Sequence, residues 1–310
     1  MKPALFVCLL LFHSLRLSAG QLQNYPFVVE TVKEGAGQRV VARNNGPAPV
    51  SVMVALTASR NISTDRPFPV QAVVPPGARS LQLARIRPET AGAAYSFRTR
   101  SSWLLGDFNA RQSPAAIYRL PYPDGLAFHI GQAAGGPLIS HKTPDSQYAV
   151  DIGMPEGTPV VAARDGLVID TEANQIRGGR SPELMGKANA VRIQHRDGTI
   201  AVYAHLAHGG VHVRRGQRVK VGMRIGLSGS TGYSSGPHLH FAVQTVLRSG
   251  DRLTMLSLPF RFYVGSPPAV FAPRTGMFVT AQYVSPGRIP SAVPAGGKAL
   301  TLRPGAGSSR

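Results

Sequence analysis

The sequence predicts an all-β protein, and three observations carry that expectation. Short segments of alternating apolar and polar residues recur along the chain, glycine (34) and proline (26) punctuate them, and long runs of helical periodicity are scarce. The 310 residues are enough for two domains of common size with real cores. The expected order is an N-terminal immunoglobulin-like β-sandwich followed by a second unit built on an antiparallel β-sheet.

Residues 1–20 read as a signal peptide. Met1-Lys2 is a short cationic start, Leu5 to Phe12 is an apolar core, and Ser18-Ala19-Gly20 offers small residues for cleavage near Gly20. The apolar stretch is too short for a stable span, and no later segment resembles one, so a secreted or periplasmic location is expected with no transmembrane segment. The one cysteine, Cys8, lies inside this leader. The mature chain then has no thiol, so neither a disulfide framework nor a thiolate metal site is available, and any metal must rest on histidine and carboxylate.

Residues 21–120 are expected to form the sandwich. Phe27 to Val32, Arg39 to Arg43, Val50 to Leu56 and Ser80 to Ile86 alternate as strands, and Asn44-Asn45-Gly46-Pro47 and Val74-Pro75-Pro76-Gly77 are turn signals between them. No histidine falls between Gln21 and Gly125, and the carboxylates occur singly, which points to a binding or positioning module rather than a catalytic one. A Pro-rich joint, Leu120 to Gly125, leads into residues 126–265, where strands resume with denser glycine. Residues 266–284 form an edge segment with Phe278-Val279-Thr280 as its strand signal. Residues 285–310 are rich in Pro, Gly, Ala, Ser and Arg and read as a disordered basic tail.

The formal net charge is +19, with the basic residues dispersed through strands and loops. Dispersal and the leader argue against nucleic acid and favour electrostatic contact with an anionic envelope polymer or surface. The chemistry concentrates near Gly232 to Phe241, where His238 and His240 stand two positions apart on a predicted strand. Residues i and i+2 of a strand share a face, so the two imidazoles meet at one site and suggest a metal.

Several further pieces stand in order upstream. They are Ala149-Val150-Asp151 followed by Met154-Pro155-Glu156-Gly157-Thr158-Pro159-Val160, then Tyr203-Ala204-His205-Leu206, then Ser230-Thr231-Gly232 leading to Pro237-His238-Leu239-His240-Phe241. Over residues 137–242 this set resembles the lysostaphin-like zinc metallopeptidases, a family of bacterial cell-wall endopeptidases. The resemblance implies a Zn2+ ion bound by a histidine, an aspartate and the second histidine of His-x-His, hence Asp151 and His240 as two ligands. The commonest family spacing, His-x-x-x-Asp, would put the remaining histidine at Gln147, whose amide is a poor zinc donor. Members with a longer intervening loop exist, and His141 precedes such a polar loop, so His141 is the expected third ligand and His129 the fallback.

The resemblance also assigns proton work to His238 as general base and to His205 as the residue that orients the water or stabilises the oxyanion. His195, His208 and His212 are expected to be ordinary surface residues. Tyr203 either assists the oxyanion or packs in the core, with the core favoured, and Asn189 either hydrogen-bonds across the cleft or serves a turn. The expected activity is hydrolysis of peptide cross-links in peptidoglycan. The alternatives are a non-catalytic relative that regulates other wall hydrolases and a wall-binding protein without activity.

Overall fold

The computed structural model describes residues 25–136, 140–265 and 268–283, so the predicted leader and basic tail lie outside the described residues. Among the described residues strands account for almost every element, and the one helical turn is the 3-10 segment Pro182–Leu184. Among the described residues no helix is long and apolar enough to cross a membrane.

Two sheets occupy the N-terminal region. Phe27–Glu34, Gly37–Asn44, Ala78–Pro88 and Ile62–Thr64 lie side by side in one, and Val70–Val74, Val50–Arg60 and Ser96–Leu105 in the other. Alternate residues from both sheets, such as Val40 and Ala42, Val52 and Val54, and Val70 and Val74, share one core. The Asn44 side chain closes the predicted turn: its amide donates to Ala48 O at 2.8 Å and to Val74 O at 3.1 Å, and its oxygen accepts from Gly46 N at 3.0 Å. Ser96–Leu105 is the long strand that alternation does not announce. Its first half alternates arginines and small polar residues because both faces are partly solvated there.

The larger sheet has eleven strands. Its main path runs Arg218–Val219, Gly166–Glu172, Asn189–Gln194, Ile200–Val211, His238–Ser249, Val150–Gly153, Ala127–Gln132 and Phe278–Thr280. Phe278–Thr280 sits at the end of this path, as its edge signal predicted. One face packs on a core that includes Ile152, Ile193, Ala201, Tyr203, Leu239, Phe241 and Val243. On the other face Ile169, Ile200 and Val202 meet Tyr25, Ala48, Val50 and Leu105 from the N-terminal region.

The Pro-rich joint is packed in its first half, while Asp124 and Gly125 at its end are exposed. Leu120 and Tyr122 are buried, the Tyr122 hydroxyl donates to Val279 O at 2.7 Å, and Tyr118–Arg119 pairs in parallel with Phe262–Gly265. His195 also departs from expectation, because it is buried while His208 and His212 are exposed. Its ring lies edge-on to Tyr118, and its Nδ1 is 2.8 Å from Asp165 O. Burial pushes the imidazole down to about 4, so it sits in the fold as a neutral ring.

Candidate metal centre

Val150–Gly153 pairs antiparallel with His238–Ser249 in a register that sets Asp151 opposite His240, Val150 opposite Phe241 and Ile152 opposite Leu239. Directly opposed residues share a face. The apolar pairs therefore go to the core, and Asp151 and His240 go together to the other side. His240 Nδ1 is 2.9 Å from Asp151 Oδ1. His238 follows the same alternation, with Nε2 3.8 Å from Asp151 Oδ1.

His141 arrives from the loop between Ala127–Gln132 and Val150–Gly153. Its Nε2 is 3.1 Å from Asp151 Oδ2, and its ring stands perpendicular to that of His240 at 4.9 Å. Thr143 O accepts from the backbone N–H groups of Ser146 and Gln147, both at 3.0 Å. Pro144 O accepts from Ser257 N at 2.8 Å, and Asp145 O accepts from the Gln244 amide at 2.7 Å. Among the described residues, His141, Asp151 and His240 are the group of ionisable side chains able to hold a metal, with ligand atoms within 4.8 Å of one another. Gln147 and His129 are exposed, and His129 lies outside that group.

His205 reaches the site by a different route. Tyr203 points into the core against Phe241, so plain alternation would send His205 the same way. A register shift against Asn189–Gln194 makes His205 an extra residue between Ala204 and Leu206, and its φ of 63° is in the left-handed region. Such a bulge re-aims a side chain. The His205 ring lands 4.5 Å from that of His238 and 5.9 Å from that of His240, while Leu206 returns to the core. Gly229 must be glycine here, since a Cβ would lie 2.6 Å from Ala207 N.

The two remaining imidazoles are held in defined tautomers. His205 Nδ1 is 2.7 Å from Thr231 O, and His238 Nδ1 is 2.8 Å from Gly236 O. A carbonyl only accepts, so each Nδ1 carries its proton and each Nε2 of the neutral ring keeps its lone pair. Burial first, then the neighbouring His240 and His238, push His205 down to about 3. At Asp151 burial acts to raise the carboxyl, but hydrogen bonds from His141 and His240 outweigh it and hold the group well below the carboxylate range. The side chains of His141, Asp151, His238 and His240 are between 8% and 16% exposed, which leaves them reachable yet largely shielded from water. A buried anionic carboxylate with two imidazoles is a donor set that fits a divalent metal.

Residues 145–252 match the model of Peptidase family M23. This segment is a Peptidase family M23 domain. The M23 domain and its flanks are similar to the peptidoglycan DD-endopeptidases ShyA and ShyC of Vibrio cholerae. ShyA is 42% identical over 29% of this chain and 18% of its own length, and ShyC 41% identical over 44% and 28%. The glycyl-glycine endopeptidase ALE-1 of Staphylococcus capitis is 41% identical over 32% of this chain and 25% of its own. The chain thus spans between 18% and 28% of the length of these curated relatives. The catalytic domain of lysostaphin from Staphylococcus simulans is 32% identical over 41% of this chain and 87% of that one, with a TM-score of 0.29.

Of the residues that hold the M23 site, Gln132 was not singled out by the sequence, and Thr231 stood there only as a member of an ordered motif. Thr231 accepts from His205 through its carbonyl and donates its hydroxyl to Leu206 O at 2.7 Å. Asn189 does not reach across a cleft. It is buried, and its amide donates to Gln175 O, Leu206 O and Ala207 O, which fixes the strand just past the bulge. Gln132 donates to Asp151 Oδ2 at 2.9 Å. Tyr203 is in the core as expected, its hydroxyl accepting from Ala163 N at 2.8 Å.

Proposed function

We propose that this chain is a zinc-dependent endopeptidase that hydrolyses peptide cross-links of bacterial peptidoglycan. The observation that carries this reading is the convergence of His141, Asp151 and His240 on one point, with the Nε2 lone pairs of His205 and His238 beside it. His141, Asp151 and His240 would hold the zinc, which supplies Lewis acidity to polarise the scissile carbonyl and to ease ionisation of the attacking water. His238 accepts the proton of that water at Nε2 and returns it to the leaving amine, while its Nδ1–H stays on Gly236 O. His205, anchored at Nδ1 by Thr231 O, accepts a hydrogen bond from the same water at Nε2 and aims its lone pair at the carbonyl carbon.

The same reading assigns residues 21–120 to an accessory unit, 126–265 to the peptidase, and a secreted or periplasmic location after loss of the leader. Gly178–Gly179 pairs with Gly232–Tyr233 beside His238, and around this pairing Ile176, Met185 and Tyr233 are exposed together with Arg180 and Lys187. Apolar and basic groups together suit stem peptides, which carry methyl side chains and free carboxylates.

Incubation of the protein, beginning at Gln21 and loaded with zinc, with purified muropeptide dimers is the direct test. Mass spectrometry should show monomers gained by addition of one water per cut. Intact dimers with a protein holding a full equivalent of zinc would overturn the substrate. Less than roughly a tenth of an equivalent of zinc, unrestored by added metal, would overturn the metal itself.

A further inference from the structure

Gln132 ends the Ala127–Gln132 strand and lies opposite Asp151. In that pairing Asp151 meets Gln132 while Ile152 meets Ile130, so Gly131 is an extra residue. Ile130 is buried in the core with Ile152. Without the bulge Gln132 would follow Ile130 into the core; with it, the amide turns to the face that bears Asp151 and His240.

Both ends of that amide are used. Nε2 donates to Asp151 Oδ2 at 2.9 Å, and Oε1 accepts from the Ser140 backbone N–H at 2.9 Å and from its hydroxyl at 3.0 Å. Ser140 is bonded directly to His141, whose Nε2 meets the same Oδ2 at 3.1 Å. We propose that Gln132 is a positioning residue that fastens the loop-borne His141 to the strand-borne Asp151 and so sets the site before metal arrives. Nine residues separate His141 from Asp151, so the backbone alone leaves the imidazole many places to go. Gln132 removes that freedom at the ligand end of the loop, while Gln244 and Ser257 remove it at the other. Hydrogen bonds to a ligating carboxylate fix its orientation, and their loss typically weakens metal binding by about 10–100-fold.

The inference rests on His141, Asp151 and His240 being the ligands, and its test separates the two claims. Zinc affinity is measured by chelator competition, the ligand field by the visible spectrum of the cobalt-substituted protein, and folding by thermal melting of the metal-free protein. Gln132→Ala should bind zinc about 10–100-fold more weakly, with an altered cobalt spectrum and little change in the metal-free melt. Gln132→Glu keeps the size and the acceptor for Ser140 but turns an acceptor toward Asp151. It should be at least as damaging to zinc affinity, and it decides the matter if Gln132→Ala does not fold. The exposed Ser140→Ala loses one of two contacts and should cost a few-fold. Zinc affinity within about twofold of the native protein in both Gln132 variants would overturn the proposal. Native affinity in His141→Ala would instead overturn the ligand assignment.

Discussion

Asp151 and His240 come to the metal centre on strands paired in regular register, whereas His141 comes on a loop and His205 and Gln132 come on bulges. The strand pair is placed by the same ladder that packs Ile152 and Leu239 into the core, so folding the sheet is enough to bring the two side chains together. The other three residues need additional hydrogen bonds, from Ser140, Thr231 and the Gln244 clamp, to arrive at the same place. Backbone register supplies half of the site, and side-chain tethers supply the rest.

The hardest blow to this contrast falls on the strand pair. Asp151→Ala or His240→Ala should abolish stoichiometric zinc and all hydrolysis, and His141→Ala should do the same while leaving the sheet's melt unchanged. Retained zinc in His141→Ala would mean that the strand pair suffices. Next in size, His238→Ala should bind zinc normally yet lose about 10²–10⁴-fold in kcat, as expected for a lost proton acceptor. A loss of metal instead would move His238 into the ligand set.

A stability measurement isolates the fold from the site. His195 titrates near 4 in the folded chain and near 6.5 when unfolded, so below 6.5 the unfolded state takes up the extra proton. Stability should therefore fall as pH drops from 6.5 to 4, by up to about 3 kcal/mol, and His195→Gln should flatten that slope in denaturant titrations. The loop clamp is worth less. Gln244→Ala should weaken zinc by about fivefold, the order of one hydrogen bond, with the cobalt spectrum reporting a displaced imidazole. At the bottom of the scale, Gln147→Ala should leave affinity within about twofold of native, because Gln147 is exposed and its amide is a poor zinc donor.

Legibility in the sequence followed the same division. The all-β class and the shared face of His238 and His240 could be read from a period of two, whereas Asp151 came forward through the ordered motifs and the resemblance. His205 and His141 came forward through ordered motifs and resemblance, since periodicity would have sent His205 into the core. Gln132 gave no signal. It lies outside the motifs, and Gly131 changes its face without changing the local composition. His195 was misplaced because a histidine before Arg196-Asp197-Gly198 reads as a turn residue, while the structure packs its ring under Tyr118. In the Pro-rich joint proline and glycine announced the break in secondary structure, but not that Leu120 and Tyr122 are anchored in the core across it.

The bulge at His205 has a consequence for how such a protein changes over time. Because His205 is the surplus residue, Ala204 and Leu206 would still face the sides they face now if it were missing. An in-frame loss of that one codon would remove the imidazole proposed to orient the water and relieve a left-handed backbone worth about 1 kcal/mol, while the core stayed in phase. A silent relative that keeps its core in phase and still carries His141, Asp151 and His240 is thus a single small deletion away, with the lost His205–Thr231 hydrogen bond set against the relieved strain.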